Sequence, residues 1–200
     1  MLVEGIKSRP VYAPLSARPG RRHLIVANDE GALAVLELAD GAPEGFLAKA
    51  NLIYVPGGSV AAGHGERLGQ LGADEYRETP NEGAALTAFR ALLETARMGT
   101  QVYVAGTENF IAQIVQAALD AGLELRAIGA DHRGSLERRI QCVHCKAITE
   151  HVTTQPVNCS GCGLALLVRD HYSRRIGAFQ GVSIDAEEPG TAPPPEPVFA

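Results

Sequence analysis

Four cysteines in two C-x2-C pairs are the residues of this chain best placed to do chemistry. Cys142-Val143-His144-Cys145 and Cys159-Ser160-Gly161-Cys162 stand thirteen residues apart and hold every cysteine of the 200-residue sequence. Two thiolates three positions apart on a tight turn can both face one ion about 2.3 Å away, and a second such turn completes a tetrahedron. Gly163, directly after the second pair, is free to take a positive φ. Disulfides would require an oxidising compartment. The first 22 residues, with Glu4, Pro10, Pro14 and Pro19, show no apolar core of a secretory signal. The pairs therefore read as a metal site, with Cys142, Cys145, Cys159 and Cys162 as ligands. Zinc is favoured, with iron as the alternative metal. His144 and His151 could each replace a thiol, but beside four cysteines both read as solvated side chains. Four thiolates leave no open coordination position, which makes the site structural, not catalytic. A segment of about 45 residues is also too small to hold a core unaided, so a metal there would contribute folding free energy.

Upstream of the cysteines the elements are larger. His23–Ala27 and Asn51–Val55 are continuous apolar runs, as in strands buried on both faces. Asp74–Glu78 reads as a short strand, and Val102–Ala105 and Leu123–Gly129 as two more. Ala32–Ala39 is apolar enough for a packed helix. Asn81 caps a second helix, with Ala85, Leu86, Phe89, Leu92, Leu93 and Ala96 on one face and Gly99 as its stop. Thr107 caps a third, striped by Phe110, Ile111, Ile114, Val115, Ala118 and Leu119 and closed by Gly122. The Gly-rich stretch 59–73 has no periodic pattern. Strands alternating with helices of this length predict an α/β, Rossmann-like parallel sheet over residues 23–130. An extended lead-in (1–22) precedes it. A four-cysteine zinc ribbon (131–182) and a Pro-rich disordered tail (183–200) follow.

An open parallel sheet binds ligands beyond the carboxyl ends of its strands. The candidate cofactor-binding residues there are Asn28, Gly31, Gly106 and Thr107, the last with the free N–H groups of a helix start. Neither loop carries G-x-G-x-x-G, and Asp29, Glu30 and Glu108 would repel a pyrophosphate. Gly57-Gly58 lacks the Lys-Ser/Thr of a P-loop. His64, in Gly63-His64-Gly65-Glu66, has no nucleophile motif beside it, so no catalytic residue is named. Composition is ordinary, at 46% hydrophobic and 20% charged, with 18 Lys and Arg against 23 Asp and Glu. Residues 130–177 are locally +3 and the remainder −8. The acidic balance argues against a nucleic-acid or membrane partner. No apolar run approaches the ~20 residues of a membrane span. The ribbon would hold Leu164–Val168 and Arg169, Arg174 and Arg175 as a docking surface, in a protein expected to be cytoplasmic.

Three resemblances extend this reading. Cys159-Ser160-Gly161-Cys162-Gly163 resembles a rubredoxin knuckle, although the first pair continues into Lys146 and the spacer is shorter than in that family. Val102–Gly106 followed by Phe110–Gly122 resembles the C-G-P segment and helix of a ferredoxin-reductase NAD domain, and Leu24–Leu36 its Gly-rich first loop. Here C-G-P is Ala105-Gly106-Thr107, and the first loop keeps only Gly31. A domain of this kind followed by Cys142 to Cys162 and His171-Tyr172-Ser173 resembles, over about residues 20–182, the DmmA-like subunit family of dimethylamine monooxygenase. That resemblance implies a sister-subunit partner in a bacterial haem-dependent, NAD(P)H- and O2-dependent monooxygenase, which demethylates dimethylamine to methylamine and formaldehyde. Haem, flavin and iron–sulfur cofactors would lie on the partner subunits. This chain would be a non-catalytic or electron-transfer-supporting subunit. A flavin-, nicotinamide- or iron-binding reductase component is the alternative, and a zinc-ribbon nucleic-acid module the weaker one.

Overall fold

A computed structural model describes residues 8–57 and 63–199. The chain divides into two compact units, one spanning Tyr12–Gly134 and the other joining the residues up to Val11 to those from Ser135 onward.

The first unit runs β1 (Arg22–Asn28), α1 (Gly31–Asp40), β2 (Ala50–Val55), α2 (His64–Gly69), β3 (Glu75–Glu78), α3 (Glu82–Glu94), β4 (Thr100–Gly106), α4 (Glu108–Asp120) and β5 (Ile128–His132). The sheet order is β3-β2-β1-β4-β5, with every pairing parallel. Parallel neighbours need a crossover, which the helices supply. Successive side chains of a strand point to opposite faces. Leu24 and Val26 therefore join Phe89, Ile111 and Ile114 in one core, and Ile25 and Ala27 join Val35, Leu38 and Tyr103 in the other. Both caps form as the sequence predicts. Asn81 accepts from the Ala84 N–H at 2.9 Å, and Thr107 from that of Phe110 at 3.4 Å.

Several boundaries shift. The second helix stops at Glu94, five residues before Gly99, whose φ of +89° turns the chain into β4. The last strand begins at Ile128, not Leu123, because Leu125–Ala127 form a 3-10 turn. The 59–73 stretch contains α2, and residues 58–62 lie outside the described ones.

The second unit is all-β: β6 (Arg138–Cys142), β7 (Ile148–Val152), β8 (Thr154–Gln155), β9 (Val157–Asn158), β10 (Ala165–Ser173), β11 (Ala178–Ser183) and β12 (Glu196–Pro197). Its main sheet has the order β7-β6-β11-β10-β9, and β12 pairs with β8. Ile140, Leu166 and Phe179 are fully buried. Leu164–Val168 is therefore not a docking surface, since β10 turns Leu166 and Val168 into this core. The terminal segments also differ from expectation. Residues 12–21 pack on the first unit, where the Arg18 N–H donates to the Tyr103 hydroxyl at 3.0 Å. Ser8 joins the second, donating to the Asp170 carbonyl and accepting from the Tyr172 N–H. The tail read as disordered ends in Phe199, buried in the second core. The Arg138 guanidinium lies 4.1 Å from the Phe179 ring centre and 4.2 Å from that of Phe199. One aromatic anchor fixes a segment whose composition shows no core pattern. Among the described residues, no helix is long and apolar enough to cross a membrane.

Candidate metal centre

Both cysteine pairs close the same backbone turn. The Lys146 N–H donates to the Cys142 carbonyl and the Cys142 N–H to that of Ala147. The Gly163 N–H donates to the Cys159 carbonyl and the Cys159 N–H to that of Leu164. Each turn thus needs a left-handed residue four positions after its first cysteine. Those residues are Gly163, as the sequence predicts, at φ +75°, and Lys146 at +66°.

The two turns bring all four sulfurs within 4.8 Å of one another. Cys145 and Cys159 Sγ are 3.5 Å apart, and Cys142 and Cys162 Sγ 3.9 Å. A tetrahedron with arms of about 2.3 Å has edges of about 3.8 Å. All four are free thiols, Cys142 and Cys159 buried, Cys145 and Cys162 exposed. The donor set and its dimensions fit one ion that favours four thiolates.

Electrostatics divide the group. Burial pushes the Cys159 thiol up, but the N–H groups of Cys162 and Gly161 that face its sulfur, with the neighbouring thiols, outweigh burial and bring it down to about 6. At Cys162 an N–H from Leu164 works downward, but desolvation and the three neighbouring thiols raise it to about 12. An ion at the centre would favour all four thiolates and release protons as it binds.

Residues outside the ligand set hold the turns together. A Cβ at Gly161 would lie 2.6 Å from the Ala147 Cβ and 3.2 Å from the Cys145 sulfur, so only glycine allows this approach. The Ser160 hydroxyl donates to the Ile148 carbonyl at 3.0 Å, and the Ser160 N–H to Thr149 Oγ1 at 3.1 Å, which ties the second turn to β7. The sequence reading missed Gly161, Thr149 and Ser160; the signal within reach was the Ser-Gly pair inside C-x2-C. His144 is exposed, and His151 Nδ1 lies 3.1 Å from Glu137 Oε1. Neither belongs to the sulfur cluster.

The other predicted site residues meet where β1 and β4 part, the point at which sheet order reverses. There they bind one another. Asn28 Oδ1 accepts from the Thr107 N–H at 3.0 Å, and Asn28 Nδ2 donates to Glu82 Oε1 at 2.7 Å. Thr107 Oγ1 accepts from the Phe110 N–H, so two donors a helix start could turn to an anion are already bonded. A Cβ at Gly106, at φ +140°, would fall 1.6 Å from Asn28 Oδ1, and one at Gly31 2.2 Å from the Ala105 carbonyl oxygen. Carboxylates surround this knot. Glu108 is buried and accepts from the Tyr12 hydroxyl at 3.1 Å. Burial, then Asp29 and Glu78, push Tyr54 up to about 12. These residues do not fit a pyrophosphate. His64 begins α2 and is buried.

Residues 4–128 match the family described as dimethylamine monooxygenase subunit DmmA-like, N-terminal domain, and residues 139–182 match its C-terminal domain. The heme-dependent oxidative N-demethylase delta subunit of Ectopseudomonas mendocina (strain ymp) is 34% identical over 97 residues, which are 48% of this chain and 55% of that protein. The chain thus spans about half the length of this curated relative. Among solved structures, an intact type IV self-sufficient cytochrome P450 monooxygenase is similar over 62% of this chain and 17% of its own, at 20% identity and a TM-score of 0.45. A ferredoxin reductase in carbazole 1,9a-dioxygenase, in its FAD apo form, is similar over 57% and 34%, at 16% identity and a TM-score of 0.43.

Proposed function

The chain belongs to the DmmA-like family of dimethylamine monooxygenase subunits, and from that premise we propose that it is an assembly subunit of a haem-dependent oxidative N-demethylase. In this reading it performs no chemistry of its own. It holds sister subunits in place while electrons from NAD(P)H pass through flavin and iron–sulfur groups to haem on those partners. Dimethylamine is the proposed substrate of the complex, and the cytoplasm its proposed location. One observation carries this reading: both places where the chain gathers reactive side chains are closed. The four sulfurs lie close enough together to serve as donors to one ion, which would leave it no open position, and the crevice residues bond one another.

Zinc is the proposed ion, held by Cys142, Cys145, Cys159 and Cys162. Bound there, it supplies folding free energy to a small β unit, with no open position for substrate. Asn28, Gly31, Gly106 and Thr107 set the geometry between β1 and β4, and no cofactor is assigned to them.

The test is purification of the full chain alone and with its sister subunits. Alone, it should be colourless, carry about one zinc per chain as a single four-thiolate site requires, and oxidise no NAD(P)H. Restored to the other subunits, it should raise dimethylamine demethylation. A bound flavin, an iron–thiolate spectrum, or NAD(P)H oxidation by the isolated chain would overturn this reading and favour an electron-transfer component.

A further inference from the structure

The end of the parallel sheet opposite the crevice carries a groove that the proposed function leaves unused. It encloses about 660 Å3 between the turn joining α3 to β4 and the residues joining α4 to β5. Met98, on its wall, is 94% exposed, and Leu125, between the lining residues Glu124 and Arg126, is 45% exposed. The charged lining residues are Arg18, Arg97, Glu124 and Arg126, and Glu124 is already paired with Arg126. Arg97 donates to the carbonyl of its neighbour Ala96, and Arg18 to that of Arg126. Neither Arg97 nor Arg18 has a carboxylate partner among the described residues.

More cations gather at the same end. Arg21 covers Gly99, Arg22 donates to Thr95 Oγ1, and Lys49 closes the turn before β2. Residues 12–134 hold ten Lys and Arg against fifteen Asp and Glu. Six of those ten cations lie here, against carboxylates that include Glu44, Glu94, Asp120 and Glu124, whereas Asp29, Glu30, Glu82 and Glu108 lie at the crevice end. The last turns of α3 and α4 carry no basic residue, so compensation of the helix dipoles does not account for Arg97 and Arg126, and Met98 beside them stands in water. Arg and Met are enriched at protein interfaces, and Lys and Glu depleted.

We propose that this groove docks a sister subunit of the N-demethylase, through a segment that sets carboxylates around one apolar side chain. The proposal rests on the assembly reading above. Charge complementarity selects this occupant. A nucleic acid would meet a unit of net −5. A second copy, offering its acidic crevice end, would give a head-to-tail contact, which builds a ring or an open filament and not the isologous pair commonest among homo-oligomers.

The experiment measures binding of the full chain, at low and high salt, to the other subunits of the same N-demethylase purified together. Arg97→Glu and Met98→Asp, both at exposed positions, should each weaken association at least tenfold at low salt. Arg67→Glu, the same charge reversal at an exposed position of α2, should leave it unchanged. Unaltered circular dichroism and metal content confirm folding, and Arg126→Glu replaces any variant that fails this check. Absence of binding by the unsubstituted chain overturns the assembly reading and the proposal with it. Equal binding by the substituted and unsubstituted chains overturns the groove alone. Concentration-dependent self-association, or DNA binding, abolished by Arg97→Glu while sister-subunit binding persists would also overturn it.

Discussion

At Lys146 the first cysteine turn places a side chain where φ is positive, while the second turn uses Gly163 for the same conformation. A non-glycine residue in that region costs on the order of 1 kcal/mol. Lys146 recovers part of this by donating from Nζ to the Val143 carbonyl at 2.6 Å. Lys146→Gly should therefore leave metal content intact and change stability by less than ~1 kcal/mol, in the stabilising direction. Chemical unfolding of the metal-loaded protein measures it. Gly161→Ala should act oppositely, because the added methyl meets Ala147 at 2.6 Å and must separate the two turns. Its expected signature is a metal affinity at least tenfold weaker with the four thiols unchanged, read by competition with a chromogenic chelator.

His23 gives a pH-dependent case at the same scale. It is buried, stacked on Phe46 at 4.1 Å, and burial followed by the charge of Lys49 lowers its pKa. Its folded pKa thus lies below the unfolded value near 6.5. As pH falls through 6.5, the unfolded chain takes a proton that the folded chain refuses, and stability declines until the folded pKa is passed. His23→Phe keeps a stacked ring without a titrating group. Its urea midpoint should fall less between pH 7 and pH 5 than that of the unsubstituted chain.

At the scale of elements, the strands legible in the sequence are those whose surroundings leave one solution. His23–Ala27 and Asn51–Val55 are apolar on both faces because helices cover both, and Asn81 and Thr107 mark helix starts through a bond their own side chains make. Leu123-Glu124-Leu125 misleads because its alternation imitates a strand, whereas Leu125 is 45% exposed on a 3-10 turn. The short strands of the second unit gave no signal, being half-exposed and held by pairing instead of pattern. The four ligands were legible from spacing, but the packing of Gly161 on Ala147 depends on contacts between turns that no local pattern records. The crevice shows how one bond joins elements. Asn28 links the end of β1 to the starts of α3 and α4. Asn28→Ala would leave the Thr107 N–H and the Glu82 carboxylate without this partner, at a cost of about 1–3 kcal/mol. Thermal unfolding of the first unit should register that loss, and metal content should not change.

For the whole molecule, the two units draw on different sources of stability. Residues 12–134 build two cores around a sheet buried on both faces. The second unit has one core of eight buried side chains, two of which are the cysteines Cys142 and Cys159. Its charges also balance, because Asp185, Glu187, Glu188 and Glu196 offset the cations of the ribbon, whereas the first unit holds the net −5. A metal bound to the folded unit alone contributes its binding free energy to that unit's stability. The chain should consequently come apart in two steps. A strong chelator at neutral pH is expected to open the second unit, expose all four thiols to a colorimetric reagent, and leave the helical circular dichroism of the first unit in place. Adding zinc should reverse the change. Loss of helical signal together with thiol exposure would mean that the first unit depends on the metal too. That outcome would remove the basis for treating the metal as a support of one unit alone.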